Sequence, residues 1–306
     1  MKKSTTSRPF FRRDGFIGYL FILPSLIGFA LFVAYPMVAS VFYSFTNWNG
    51  LSDPDFVGFR NFTYMFTTDP SFPKAVSATL LYVLMVVPLT MIFGFLLALM
   101  LNKNLFGIKV LRTLFYLPVV LPSVAALALW KFIYDPDYGL ANSLLRALGL
   151  PTSRWLQGES TALVSMAIVA IWGVGSMMIV FLGGLQALGQ ELYEAADVDG
   201  ANWFQKLTKI TLPMMTPILF LQLITGLINA FQTFNPPQIL TNVNGRGGNP
   251  NNATYLLAYS IYDNAFNGNK YGYAMAQALV LFVVIMILTV IVFKGSNTYV
   301  YYESND

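Results

Sequence analysis

Six stretches of this chain run without a charged side chain, and most are longer than a bilayer crossing requires. They lie between Asp14 and Asp53, Lys74 and Lys103, Arg112 and Lys131, Glu159 and Glu191, Lys209 and Arg246, and Lys270 and Lys294. Each holds a core of Leu, Ile, Val, Phe, Ala and Met. A hydrocarbon core ~30 Å thick takes roughly 20 apolar residues of helix. Inside it the backbone must satisfy its own hydrogen bonds, which leaves helices or closed barrels. A barrel strand alternates apolar and polar residues, and these solid runs do not. Only 10% of the 306 residues are charged, against roughly 25% in soluble domains. The expectation is an all-α polytopic membrane protein with six transmembrane helices.

The spans are predicted at about 16–45, 75–101, 111–132, 161–187, 213–235 and 272–293. They sit within a membrane domain, 15–294, flanked by segments 1–14 and 295–306. The third span is the shortest and holds Pro118 and Pro122, so a bend is expected there. Pro24, Pro36, Pro88 and Pro217 need neighbours that re-satisfy the freed carbonyls. The chain has neither cysteine nor histidine, so disulfides and the usual thiolate or imidazole metal sites are excluded. The first apolar run is too long for a cleaved signal peptide and lacks a small-residue cleavage motif.

Lys and Arg flanking spans mark the cytoplasmic side. Lys2, Lys3, Arg8, Arg12 and Arg13 precede the first span, and Lys103, Lys109 and Arg112 follow the second. Both segments read as cytoplasmic, and six crossings return Lys294 and the C-terminus to the same side. The net charge of +4 is therefore a topology signal. The basic residues flank spans and form no patch with interleaved aromatics, so nucleic acid is not an expected partner. The outer loops are longer. One carries Leu140, Leu144, Leu145 and Leu148, the pattern of a short surface helix closed by Gly149 and Pro151. Another predicts a short helix around Tyr255 to Phe266.

One inner link departs from the charge rule. Residues 188–212, within ALGQELYEAADVDGANWFQKLTKITLP, set Glu191, Glu194, Asp197 and Asp199 against Lys206 and Lys209. Leu188, Leu192, Ala195 and Ala196 share a helical face, with acids in the early turns where the helix dipole favours them. Asp199-Gly200 is a turn signal, and Gly200 accepts the positive φ that ends a helix. Trp203, Phe204, Leu207 and Ile210 then recur at helical spacing. Two short amphipathic helices joined at Gly200 follow. Ala195 and Ala196 would let another protein approach closely, and Glu194 could accept a charge-assisted bond from its Arg or Lys. The alternative is a linker lying on the membrane. Interfacial helices place Lys and Arg toward anionic lipid, and the first of these helices is acidic.

Glu194-Ala195-Ala196, Asp199-Gly200-Ala201, Ile210, Leu212 and Pro213 resemble the EAA loop of binding-protein-dependent ABC transporter permeases. Phe56-Val57-Gly58, Asn61-Phe62, the run Arg112 to Pro118 and the run Pro136 to Asn142 resemble its carbohydrate-type members. One departure follows the fifth span. The family often has an acidic residue and a Thr-Gly-Gly-Gly-Pro-like loop, where this chain has Asn235, Thr241 and Gly247-Gly248-Asn249-Pro250. The resemblance implies the type I importer fold, with a cytoplasmic coupling helix that docks an ATPase through Glu194, Ala195, Ala196, Asp199, Gly200 and Ala201. It also implies the partners: a second homologous permease, two copies of a cytoplasmic ABC ATPase and an extracytoplasmic solute-binding protein, in a bacterial or archaeal cell membrane. ATP and Mg belong to the ATPases, and no cofactor is expected on this chain, which has no GxxxxGK[ST] phosphate loop.

No Asp, Glu, Lys, Arg or His lies in the interior of a span, where proton and ion relays place them. A neutral solute, a sugar or oligosaccharide, fits better than an anionic one. Gln222, Thr225, Asn229 and Thr233, with Gln232 at the edge, recur along the fifth span. Trp172, Gly173 and Ser176 sit on the fourth. Amides can exchange hydrogen bonds with sugar hydroxyls, and an aromatic face can cover a sugar ring. The competing role is helix glue. Tyr82 and Gln277 are expected in packing or gating. Other readings keep the architecture for a polyol-like solute such as a glycerol phosphate, or make the chain a secondary carrier or channel, which would leave the acidic inner loop without a purpose. A membrane enzyme lacks any nucleophile–base constellation.

Overall fold

The computed structural model describes residues 14–103 and 106–299. The basic cluster from Lys2 to Arg13 and residues 300–306 lie outside them. Among the described residues there are helices, turns and two isolated antiparallel bridges, Thr46–Phe56 and Val243–Arg246.

The chain begins with α1 (Asp14–Phe29), which passes through a π turn, Ala30–Ala34, into α2 (Tyr35–Tyr43). Together they make a span of Gly18–Tyr43 in which no residue is buried. An outer loop with the short helix α3 (Arg60–Thr67) leads to α4 (Ser71–Leu101), which stays helical through Pro88. Next come α5 (Ile108–Val120) and α6 (Ser123–Ile133), bent by 97°. The expected bend of the third span is thus a full break. Pro122 cannot continue the amide ladder and pushes Leu121 to an extended conformation, ψ 140. Pro118, one turn earlier, sits inside α5 without ending it.

The outer helix α7 (Leu140–Ala147) precedes α8 (Glu159–Trp172) and α9 (Gly175–Ala187), which meet at 46°. The fourth span, expected as one helix, is therefore two. The inner loop carries α10 (Gln190–Val198), α11 (Trp203–Lys206), a π turn at Leu207–Thr211 and α12 (Leu212–Met214). Then α13 (Thr216–Phe231) and α14 (Asn235–Leu240) form the fifth span, and α14 starts on Pro236 and Pro237, which suit a first helical turn. The outer helix α15 (Leu257–Tyr262), continued by a π turn, Asp263–Asn267, leads to α16 (Tyr271–Tyr299). Among the described residues four helices are long and apolar enough to cross a membrane, and up to six spans result when each bent pair counts as one.

The core is built around α4. Its Ala75, Val83 and Val87 pack with Ala230, Phe231, Tyr259 and Ala276. Its Tyr82 and Val86 pack with Met166 and Leu127, and its Phe95 and Ala98 pack with Met178 and Phe181. Thr79 ties α4 to the outer helices, because its hydroxyl accepts the Leu257 amide at 2.8 Å. At the break of the fourth span, α9 crosses α5 so closely that a Cβ on Gly175 would lie 2.4 Å from the Phe115 carbonyl oxygen.

A side chain at that crossing must push two backbones apart, and overpacking of this kind costs about 1–3 kcal/mol. Gly175→Val should lower the thermal midpoint of the detergent-purified protein by several degrees. Gly183→Val, where a Cβ meets nothing within 4 Å, should leave it unchanged. Equal midpoints for both variants would show that the crossing does not depend on Gly175.

Candidate functional site

The loop after α9 is a self-contained hairpin of helices. Gly189 opens α10 in an extended conformation, and the helix closes at Gly200, whose φ is +74. The return arm starts on a capping box: the Asn202 side chain accepts the Gln205 amide at 2.9 Å, and the Gln205 side chain accepts the Asn202 amide at 2.8 Å. Two side-chain links tie the arms together. Lys206 and Asp197 form an ion pair at 2.6 Å, and the Tyr193 and Thr211 hydroxyls are 2.9 Å apart. Neither link was part of the expected pattern.

The outward surface of this hairpin is acidic and apolar together. Glu194 is exposed, with one carboxylate oxygen accepting from the Gln190 amide at 2.9 Å. Ala195, Asp199 and Gly200 are exposed, and Ala196 and Ala201 are half-buried. Val198 is 89% exposed, and Trp203 and Phe204 are 64% exposed. Exposed apolar residues clustered in this way are what an interaction surface presents.

On α13 the polar residues fall on one stripe. Asn229 and Gln232 are exposed and Gln222 and Thr233 half-buried, while Ile224, Ala230 and Phe231 turn into the core. Thr225 donates to the Gln222 amide oxygen at 3.1 Å, and Thr233 to the Asn229 carbonyl at 3.1 Å. The amide groups of Asn229 and Gln232 face outward from this chain. Tyr82, buried on α4, lies beside Thr233 at the end of the stripe. On the fourth span Ser176 and Gly173 are exposed at the break, whereas Trp172 packs edge-on against Trp130, with ring centroids 5.7 Å apart. That stack continues through Tyr134 to Trp155. The structure therefore aligns the α13 residues and places Trp172 in an aromatic column.

Gln277 is fully buried and serves packing: it joins Ser260, Asn264 and the Tyr273 hydroxyl, which in turn donates to Asp69. The outer loop that departs from the family pattern also folds inward. The Gly247 amide donates to the Tyr259 hydroxyl at 2.7 Å, and the Gly248 amide to Thr241 at 3.1 Å. Burial pushes the Tyr259 and Tyr255 hydroxyls above the ordinary tyrosine value. Burial likewise raises Tyr134, to about 12. Among the described residues no group of His, Cys, Asp and Glu could hold a metal ion.

Several motif residues turn out to be structural. Asn61 donates to the Ser44 and Thr46 carbonyls, at 2.8 Å each. Asn142, 1% exposed, fills its amide's capacity with Pro136, Ser153 and Trp155. Arg112 donates to the Leu101 carbonyl at the end of α4, at 2.7 and 3.2 Å.

Residues 90–300 match the family described as binding-protein-dependent transport system inner membrane component. The chain is 40% identical to a Bacillus subtilis protein described as "Probable ABC transporter permease protein YesP", over 100% of this chain and 97% of that one. It is 34% identical to MsmF, the multiple sugar-binding transport system permease protein of Streptococcus mutans, over 92% of this chain and 96% of that one. Its fold is similar to a chain of a bacterial ABC transporter involved in the import of the acidic polysaccharide alginate, with a TM-score of 0.82, 25% identity, and 94% and 96% of the two chains covered. This chain belongs to the binding-protein-dependent transport system inner membrane components, the permeases of ABC transporters.

Proposed function

We propose that this chain forms one half of the translocation pathway of an ATP-driven importer for a sugar or oligosaccharide. The observation that carries this reading is the α13 stripe. In a single chain its amides would face hydrocarbon, where a polar group without a partner costs several kcal/mol. A second, homologous permease facing the stripe would enclose it in a polar path. Uncharged amides along that path suit the hydroxyls of a neutral sugar. Relatives named for sugar transport support the substrate class, among them MsmF and the arabinooligosaccharide permease AraP of Bacillus subtilis.

The hairpin at 188–212 is the coupling element, placed on the cytoplasmic side with both chain termini. Two ATPases dock there and use ATP and its magnesium, while a solute-binding protein delivers substrate to the opposite face. A solved alginate transporter of similar fold, in complex with a pentasaccharide-bound periplasmic protein, supports that arrangement. The two ties between the hairpin's arms let it move as one body, so a displacement of the ATPase is passed to α9 and α13 together.

A charge-assisted hydrogen bond contributes about 1.5–3 kcal/mol. Glu194→Ala should therefore weaken ATPase attachment by about tenfold or more, read by co-purification at rising salt, and Gly200→Val should uncouple hydrolysis from uptake. Normal transport and complex formation in both variants would sink the coupling role. Asn229→Leu with Gln232→Leu should cut uptake of the labelled binding-protein ligand several-fold, at about 1 kcal/mol per lost hydrogen bond, while the complex still assembles. Undiminished uptake would remove α13 from the path.

A further inference from the structure

Between the hairpin and the span ends lies a second feature. A recess of about 220 Å³ opens there. Leu99 on α4 and Leu185 on α9 line it together with Lys103, Tyr193, Trp203 and Lys206. Leu99 and Leu185 both sit in the last turn of a membrane helix. The recess therefore stands at the height where hydrocarbon gives way to headgroups. Its lining sets leucines of two membrane helices beside two lysines of the inner loops.

The electrostatics of the recess favour an anion. The carboxyl end of a helix carries partial negative charge, but Arg112 already binds the Leu101 carbonyl where α4 ends. Lys206 gives one of its three donors to Asp197 and keeps the others. That pair is asymmetric: the Lys206 side chain is 22% exposed and Asp197 61%, so the carboxylate lies toward water and the ammonium toward the recess. Trp203 is 64% exposed beside it, and tryptophan concentrates at membrane interfaces. Basic pockets between spans on this side of a membrane are headgroup sites.

We propose that this recess binds the phosphate of an anionic phospholipid headgroup, clamped by Lys103 and Lys206, with the start of an acyl chain against Leu99 and Leu185. The inference rests on the inner-face placement of the hairpin proposed above. A free phosphate ion would use the lysines but gain nothing from the leucines. A lipid in the recess wedges the Lys206 arm of the hairpin against α4, so lipid composition sets how firmly the coupling element is held.

The full-length chain, purified with its associated subunits, is placed in nanodiscs of phosphatidylcholine with an added fraction of phosphatidylglycerol. Native mass spectrometry reads the retained lipid. Each juxtamembrane lysine contributes about fivefold to anionic lipid binding. Lys103→Gln with Lys206→Gln should thus lower the preference for phosphatidylglycerol by about tenfold or more. Asp197→Asn, which breaks the ion pair and frees Lys206, should preserve or raise it. Brominated phosphatidylglycerol should quench the native complex, and Trp203→Phe should remove most of that quenching. The proposal is overturned by an unchanged preference in the double variant, by an equal loss in Asp197→Asn, or by displacement of the lipid with excess inorganic phosphate. No readout involves ATP hydrolysis or ATPase attachment, so a failed docking model would show separately, in Glu194→Ala.

Discussion

The helix Ser71–Leu101 holds this protein together, because its buried residues join three separate packing clusters along its length. Ala75 and Val87 close on α13 and α16, Tyr82 on α8, and Phe95 on α9. Lipid offers no hydrophobic drive for helix association, so these contacts rest on close packing and on hydrogen bonds. Small residues at the crossings set how closely the helices approach. Gly94 admits Val174 and Met177, Gly184 admits Met215 and Ile218, and Gly175 admits the backbone of α5. The first span has no such part: its apolar face stays open from Gly18 to Tyr43, and only its α2 end packs on the last helix.

The spans were legible because a single physical requirement, long apolar runs without charge, writes them into the sequence. The breaks were less so. Pro24, Pro88, Pro118 and Pro122 look alike in the chain, yet only Pro122 ends a helix. A proline breaks a membrane helix where α6 can turn aside and pack on α14, and that depends on the tertiary neighbours. The bend of 46° between α8 and α9 is similar: Gly173 and Gly175 permit it, but the crossing with α5 decides it. Sequence periodicity identified both arms of the inner hairpin and the positive φ of Gly200. It missed the ties from Lys206 to Asp197 and from Tyr193 to Thr211, since their partners are nine and eighteen residues apart and meet only once the turn has formed.

The motifs that carried the resemblance divide into two kinds once their contacts are known. Asn61, Asn142, Gly139 and Arg112 are satisfied inside the chain, by carbonyls of their own loops or, for Gly139, by a backbone approach that a Cβ would block at 2.3 Å from Asp135. Changing them would act through folding. Glu194, Ala195, Asp199 and Gly200 have exposed surfaces and few internal partners. The positive φ of Gly200 calls for glycine, while the exposure of Glu194, Ala195 and Asp199 is in keeping with the docking role proposed above. Trp172, which reads as a sugar platform from sequence, also packs edge-on against Trp130.

That division bears on how force passes through the subunit. A hairpin held by one ion pair, one hydroxyl pair and a capping box is stiff enough to be pushed as a unit. Its two exits are the ends of α9 and α13, the helices whose upper parts carry the break at Gly173 and the Asn229–Thr233 segment. Each of those helices is also interrupted, by the turn before Gly175 and by the turn at Gln232. Two interrupted helices rising from one tied hairpin have the geometry of a lever. On the coupling role proposed above, a displacement of the hairpin would tilt the lower halves of both spans while α8 stays packed on α4 and α14 on α6. The polar stripe lies at the interruption of the fifth span, so the same displacement that the hairpin receives would change the width of the path beside Asn229.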